Sequence, residues 1–380
     1  TSQTISFTST ASSPTALGSY TVAATATSGL SVSFAIDSAS ASVCSISGST
    51  VSFLTGGSCV INATQSGDSN FGAAQQVQQT INVAQLSQSI SLTNPGTHYF
   101  GDSAFSIAGS ATSGLTIAFA VGSGTTNSSC TVTSGGTVTV AHVGTCEIRA
   151  NQAGNATYTA APQVSVSFAI AKANQAALTI SSSATVTYGN TISLSTTGGS
   201  GAGAVTYSTT GTCTVSGTTL TVGNAGSSCA VTATKATDSD YNATSSAAQT
   251  VTITRASQAT LSISSASSVY FGNTIALSTT GGSGNGAVSY ATTGTCTESG
   301  GVLTLGNAGS SCSVTATKAA STNYDAITSA AQTVQVLQTS QTVSFTTTAS
   351  SPTALGSYSV AATATSGLSV AITVDSASAD

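Results

Sequence analysis

Residues 43–65 read VCSISGSTVSFLTGGSCVINATQ, and the fold is decided there. Small polar and apolar residues alternate in short runs, the period of a half-buried strand, and no 3.6-residue rhythm is present. Gly48-Ser49 breaks the run where a tight hairpin turn belongs, and Gly56-Gly57 breaks it again just before Cys59. Three strands result, with a cysteine on each outer one. Upstream and downstream the pattern continues as TISFT (4–8), YTVAATA (20–26), LSVSFAID (30–37) and QVQQTINVA (76–84), rich in β-branched residues and separated mostly by Gly, Ser, Asn or Asp. The first 86 residues are therefore expected to form one small all-β unit of about seven strands, with helix content near nil.

The unit is copied. Equivalent openings fall at Gln3 (SQTISF), Gln88 (SQSISL), Gln175 (NQAALTI), Gln258 (SQATLSI) and Gln341 (SQTVSF). This places repeats at 1–86, 87–173, 174–256 and 257–339, with a partial repeat at 340–380. Repeats 3 and 4 are near-copies, GNTISLSTTGGSGAGAVTYSTTGTC against GNTIALSTTGGSGNGAVSYATTGTC. The partial repeat instead copies repeat 1, SSPTALGSYSVAATATSGLSV against SSPTALGSYTVAATATSGLSV, so the larger period, from Gln3 to Gln341, is 338 residues. The fifth copy stops before its first Cys, and the expectation is that the sequence samples a longer array. Closing and opening strands run together without a Pro or Gly spacer (INVAQLSQSISL, VTITRASQATLSI), so the joints should resist bending and the array should behave as an elongated, semi-rigid rod.

Each complete repeat carries one cysteine pair: Cys44 and Cys59, Cys130 and Cys146, Cys213 and Cys229, Cys296 and Cys312. A strict pair at near-constant spacing reads as four disulfides within repeats, each worth on the order of 3 kcal/mol in the chain-entropy account. Zinc would need further ligands, and no His or acid recurs beside the pair. Disulfides imply an oxidising, extracellular address.

Composition excludes several functions. Only 5 basic and 10 acidic residues occur in 380, scattered rather than in a stripe, so nucleic acid has no electrostatic footprint to bind. No apolar run is long enough to span a bilayer as a helix. The two histidines, His98 and His142, both lie in repeat 2, near Asp102 and Glu147 respectively, and no other repeat supplies an equivalent. No nucleophile elbow or recurring Ser/His/Asp set is present, so no enzymatic activity is expected. The runs GGSGAG (198–203) and GGSGNG (281–286) feed strands, not helices, and read as long hairpin turns rather than phosphate cradles. Calcium wants six to eight oxygens, and only Asp238 and Asp240 bring two carboxylates together in the loop before the closing strand. They are weak metal candidates, and no cofactor is expected. Recurrent aromatics, Phe71, Tyr158, Tyr241 and Tyr324 late in the unit and Tyr20, Tyr99 or Phe100, Tyr188, Tyr270 or Phe271, and Tyr358 early in it, read as packing at the ends of the repeats.

Repeat 2 carries Tyr99-Phe100-Gly101-Asp102 near its start and AGNATYTAA (153–161) near its end. In these motifs the chain resembles bacterial immunoglobulin-like repeats of the type with a YGD motif early and AGNxxYxAA late. The first motif becomes Tyr188-Gly189-Asn190 and Phe271-Gly272-Asn273 in repeats 3 and 4, and Leu17-Gly18-Ser19 in repeat 1. The resemblance implies tandem β-sandwiches in a large bacterial surface or secreted protein, acting as stalk, spacer or adhesion module. The implied partners are neighbouring repeats of the same chain and, if rods associate into a filament or sheath, identical chains. Glycan binding ranks below both, since the chain has no Trp.

Overall fold

A computed structural model describes residues 1–375. The protein is all-β, with a single 3-10 turn at Ser38–Ser40 and no α-helix among the described residues. It divides into two compact units: Thr1–Leu178 with Gly198–Val205 and Thr234–Ser245, and Thr179–Thr197 with Thr206–Ala233 and the chain from Ser246 onward.

In the first unit, repeat 1 has eight strands: β1 Ile5–Phe7, β2 Ser19–Thr21, β3 Ala24–Ala26, β4 Ser33–Ile36, β5 Cys44–Ser47, β6 Thr50–Phe53, β7 Gly57–Thr64 and β8 Val77–Val83. One sheet runs β4-β7-β8, another β2-β6-β5, and β1 pairs with β3. The stretch YTVAATA, expected as one strand, is two. Tyr20 pairs with Val51 across β2 and β6, whereas Ala24–Ala26 pairs with β1. The chain changes sheet at Val22-Ala23, where the amide of Val22 bonds Ser49 O at 2.8 Å and Thr8 reaches back to Ala23 O at 2.8 Å. Along β7 burial alternates strictly: Cys59, Ile61 and Ala63 are fully buried, and the residues between them are not. Cys59 and Ile61 meet Val51 and Phe53 from the facing sheet, and Ala63 packs with Ile5 and Ala26. A buried Ile of this kind contributes about 1.5–3 kcal/mol.

Cys44 on β5 is disulfide-bonded to Cys59 on β7, with Cα atoms 5.8 Å apart. Because β5 and β7 belong to different sheets, the bond ties the two layers through the core. Cys130–Cys146, Cys213–Cys229 and Cys296–Cys312 are likewise bonded, and no cysteine among the described residues is free.

Repeat 2 continues with β9 Ile90–Leu92, β10 His98–Tyr99, β11 Phe105–Ser106, β12 Gly109–Ala111, β13 Ala118–Val121, β14 Cys130–Val132, β15 Thr137–Val140, β16 Gly144–Asn151 and β17 Val164–Ala171. The large sheet is β10-β17-β16-β13, the opposing one β11-β15-β14, and β9 pairs with β12. The short β10 lies parallel to the closing strand, His98 opposite Ile170 and Tyr99 opposite Ala171.

In the second unit the same parallel pairing joins Thr185–Thr187 to the closing strand Gln249–Thr254, and Ser268–Tyr270 to Gln332–Leu337. Here the glycine run corrects the sequence reading. Thr279–Gly281, before GGSGNG ends, pairs with Leu261–Ile263, while Val288–Gly294 beyond it pairs with Ser311–Lys318 in another sheet. The run is a crossing between sheets, not a hairpin turn. Glycine is required because Gly281 and Gly282 have φ of +85° and +70°, and a Cβ on Gly281 or Gly286 would overlap the carbonyl of Thr260 or Ala319.

Candidate functional site

The chemistry that recurs in repeats 1, 2 and 3 is concentrated in the loop before the closing strand. In repeat 2 the Asn155 side-chain oxygen accepts from the amides of Thr157 (2.8 Å) and Tyr158 (2.9 Å). Asp238 does the same for Asp240 (3.0 Å) and Tyr241 (2.8 Å), and Asp68 for Asn70 (2.7 Å) and Phe71 (2.9 Å). A side chain bonding backbone two and three residues on fixes the turn without any ordered partner outside it. Asp238 also takes the Ala202 amide at 2.5 Å. These amides, those of Asp240 and Tyr241 foremost, hold the Asp238 carboxyl below the usual aspartate range.

A buried glutamine anchors this loop from behind. Gln88 Nε2 donates to Gln152 Oε1 (2.6 Å) and Thr159 O (2.7 Å); Gln175 donates to Ala236 O (3.1 Å) and Asn242 O (2.7 Å); Gln258 donates to Ala319 O (3.3 Å) and Asp325 O (2.7 Å). Gln3 bonds Gln65 and, at 2.8 Å, Gly72 O. All four are at most 9% exposed. This residue marks each repeat's opening in the sequence, but its role escapes the apolar pattern on which strand assignment rests. The usable signal was a Gln recurring at one fixed place inside an apolar strand opening.

The loop's outer face packs on the end of the preceding repeat. Leu86 donates to Thr157 O (2.8 Å) and accepts from Thr159 (2.9 Å), and the Gly56 amide reaches Ala156 O at 2.8 Å. One repeat later, Ala173 brackets Tyr241 in the same way, donating to Asp240 O (3.0 Å) and accepting from Asn242 (2.9 Å). Asp240 Oδ1 accepts from the Val143 amide at 3.1 Å, and Tyr241 meets Phe100 edge to face at 5.3 Å. In the second unit Ala256 brackets Tyr324, Asn323 Oδ1 accepts from the Ala225 amide at 2.9 Å, and Tyr324 meets Tyr188 at 5.7 Å. The joint is one design used repeatedly.

The sequence-derived candidates fall differently. Asp238 and Asp240 are neighbours, but one caps its own turn and the other reaches the preceding repeat, and no group of three or more metal-ligating side chains occurs among the described residues. His142 does not meet Glu147. It lies 3.7 Å from Asp240, while Glu147 accepts from the Gly124 amide at 2.5 Å, which lowers its carboxyl pKa, and pairs with Arg149. His98 stacks on Phe105 with ring centroids 3.8 Å apart and contacts Asp102 at 3.2 Å. The two histidines therefore serve separate places. Tyr20, grouped in the sequence with the end-packing aromatics, is a core residue: it is 9% exposed, and its hydroxyl bonds Ser9 Oγ (2.6 Å) and Gln79 Oε1 (3.1 Å). The reason is its place on β2, whose inward face opposes Val51.

No protein-family model matches the sequence, and no curated protein does. Among solved structures the chain is similar to Drosophila N-cadherin EC1-4 (13% identity, 81% of this chain and 92% of that one, TM-score 0.24). It is also similar to the insect immune protein hemolin (11%, 86% and 96%, TM-score 0.25) and to domains 1-6 of the surface layer protein SbsC (13%, 86% and 52%, TM-score 0.22). No helix among the described residues is long and apolar enough to cross a membrane.

Proposed function

We propose that this chain is a structural stalk or spacer region of a large extracellular bacterial surface or secreted protein, built from the repeats 1–86, 87–173, 174–256 and 257–339 as successive folding domains, with a fifth beginning at 340. The observation that carries the reading is the parallel pairing of an early strand with the closing strand. Tension along the chain enters a repeat at its opening strand and leaves through its closing strand, which runs on into the next joint. His98↔Ile170 with Tyr99↔Ala171, and Ser268–Tyr270 with Gln335–Leu337, lie between those two points. Parallel neighbours pulled in opposite directions load their hydrogen bonds together in shear, whereas an antiparallel end would unzip one bond at a time. The disulfides across the layers and the bracketed joints support the same reading. It assigns no catalytic step and no cofactor.

Small-angle scattering of the 380-residue chain tests it. A single compact body of that length would have a radius of gyration of roughly 21 Å. A stalk gives a markedly larger value with a linear cross-section region, and a value near that of a compact body would sink the proposal.

A further inference from the structure

The edge of a β-sheet leaves a row of backbone N–H and C=O groups without partners, and soluble proteins guard such edges by shortening them or by placing charge beside them. Repeats 1 and 2 do both. The sheets containing β7 and β16 end at β4 and β13, four residues each. Strand β4 runs directly into Asp37, and beside β13 Arg149 stands opposite Ala120 and pairs with Glu147. Repeats 3 and 4 do neither. The same edge is held there by Val205–Gly211 and Val288–Gly294, seven residues each, which read VTYSTTG and VSYATTG with no charge and no Pro.

In repeat 4 the open groups can be named. Ala319 N donates to Ala287 O at 2.9 Å, so by antiparallel alternation Ser289, Ala291 and Thr293 bond the neighbouring strand Ser311–Lys318. The backbone N–H and C=O of Val288, Tyr290 and Thr292 therefore point away from it, and no strand lies on that side among the described residues. The Tyr290 side chain packs against the core while Ser289 and Ala291 are exposed, so the outer face beside this edge carries only small side chains. Lys318, opposite Val288, is turned to the glycine run, where its Nζ donates to Gly282 O at 3.3 Å.

We infer that Val288–Gly294 is a lateral docking edge for a second copy of this chain, paired antiparallel with the same strand of that copy. The strand is its own complement. About a twofold axis at Tyr290, Val288 falls opposite the second copy's Thr292 and Tyr290 opposite its Tyr290, so about six interchain hydrogen bonds form from groups that have no partner strand in the single chain. The pairs between them, Ser289 with Ala291, are small and uncharged and neither clash nor repel. With 5 basic and 10 acidic residues in 380, two copies approach side by side against little repulsion. Val205–Gly211 repeats the pattern in repeat 3, so one chain carries two such edges and lateral association is able to continue past a dimer. The inference goes beyond the stalk reading without resting on it: a chain that never associates defeats this inference alone, and a compact chain in scattering defeats that reading alone.

The test uses the full chain with its disulfides intact. In sedimentation velocity the wild type should grow with concentration, and hydrogen exchange should show the amides of Val288, Tyr290 and Thr292 gaining protection as it does. Ser208→Lys/Ala291→Lys places a cation on the exposed face beside both edges without touching the core, and should weaken association about tenfold because like charges then meet across the twofold. Ser208→Glu/Ala291→Glu should do the same. An equimolar mixture of the two double variants should associate at least as well as the wild type, a rescue that misfolded variants would not show. A wild type that stays monomeric at its highest soluble concentration overturns the inference and leaves the edge to a strand of some other protein. Association that leaves those three amides unprotected, or that neither double variant weakens, also overturns it, because the contact then lies elsewhere.

Discussion

Gln88 shows how much rests on one uncharged side chain here. It is 6% exposed, and both hydrogens of its amide are used, on Gln152 Oε1 and Thr159 O, while Ser113 donates to its oxygen. Replacement by Leu keeps the volume but takes the side-chain donor from the part-buried Thr159 O and the acceptor from Ser113 Oγ, at a cost of about 1–3 kcal/mol. The loss falls on the loop, not on the β16/β17 core. Hydrogen exchange should therefore show residues 152–161 losing protection by about 5- to 150-fold, while β16 is unchanged. Equal loss in both places would mean that the Gln supports the whole sandwich.

Asp240 makes the joint that contains it acid-sensitive. The Val143 amide, followed by Ser239 and His142, holds its carboxyl below an ordinary aspartate's 3.8. A depressed carboxyl binds fewer protons folded than unfolded, so its stabilisation is complete at neutral pH, begins to fade near that ordinary value and is gone once pH has fallen through the folded pKa. Asp238, depressed by its own turn amides, acts in the same direction. The Val143 amide resonance should shift as acid is added and the contact is lost. Asp240→Asn, which imitates Asn323 at the equivalent joint, should abolish that shift while leaving the joint formed at neutral pH. A shift that persists in the variant would assign the acid response to another group.

At the scale of elements, what the sequence made legible followed from short-range pattern. Strand period, glycine turns and the constant cysteine spacing are local, and they lead to the sheets and to Cys44–Cys59 without further information. What stayed hidden depends on destination. YTVAATA reads the same whether it serves one sheet or two, because Val22 and Ala23 suit either pleat; only the Val22 amide's bond to Ser49 O reveals the change of sheet. The glycines at 281–286 announce a bend but not that the chain beyond it pairs elsewhere. Parallel pairing of His98–Tyr99 with β17 has no signature in either segment. The docking loop was visible only through its recurring aromatic, Phe71, Tyr158, Tyr241 and Tyr324, and its partner lies in the preceding repeat, at a sequence distance no local pattern encodes.

The disulfides can be tested at this same scale. Cys130 on β14 and Cys146 on β16 belong to the two layers, so removing their bond releases the opposing sheet as well as a loop. Cys130→Ala/Cys146→Ala should cost roughly 3 kcal/mol from loop closure, with a further penalty for the space left at fully buried Cys146. In differential scanning calorimetry one of the transitions should move down and the others stay. A uniform fall of every transition would show that the repeats do not melt as separate units.

For the whole molecule, the placement of the disulfides sets how much length each repeat can release. Under tension a repeat gives way when the parallel pair shears, and chain is then paid out until it meets a covalent tie. The segment between Cys130 and Cys146, separated by 16 residues, remains closed by a bond whose Cα atoms are 5.7 Å apart. That segment fully extended would span roughly 50–60 Å at about 3.3–3.6 Å per residue. Reduction should therefore lengthen every unfolding step by close to 50 Å, once the span already bridged by the bond is subtracted. Single-molecule pulling with and without reductant measures this directly. Because all four pairs span 15 or 16 residues, the increments should shift together and by nearly the same amount. The peak force should respond separately: shear of the parallel pair precedes any load on the disulfide, so reduction should change step length more than it changes the force of first rupture. If force falls while step length stays fixed, the disulfide, and not the strand pair, is the element that bears the load.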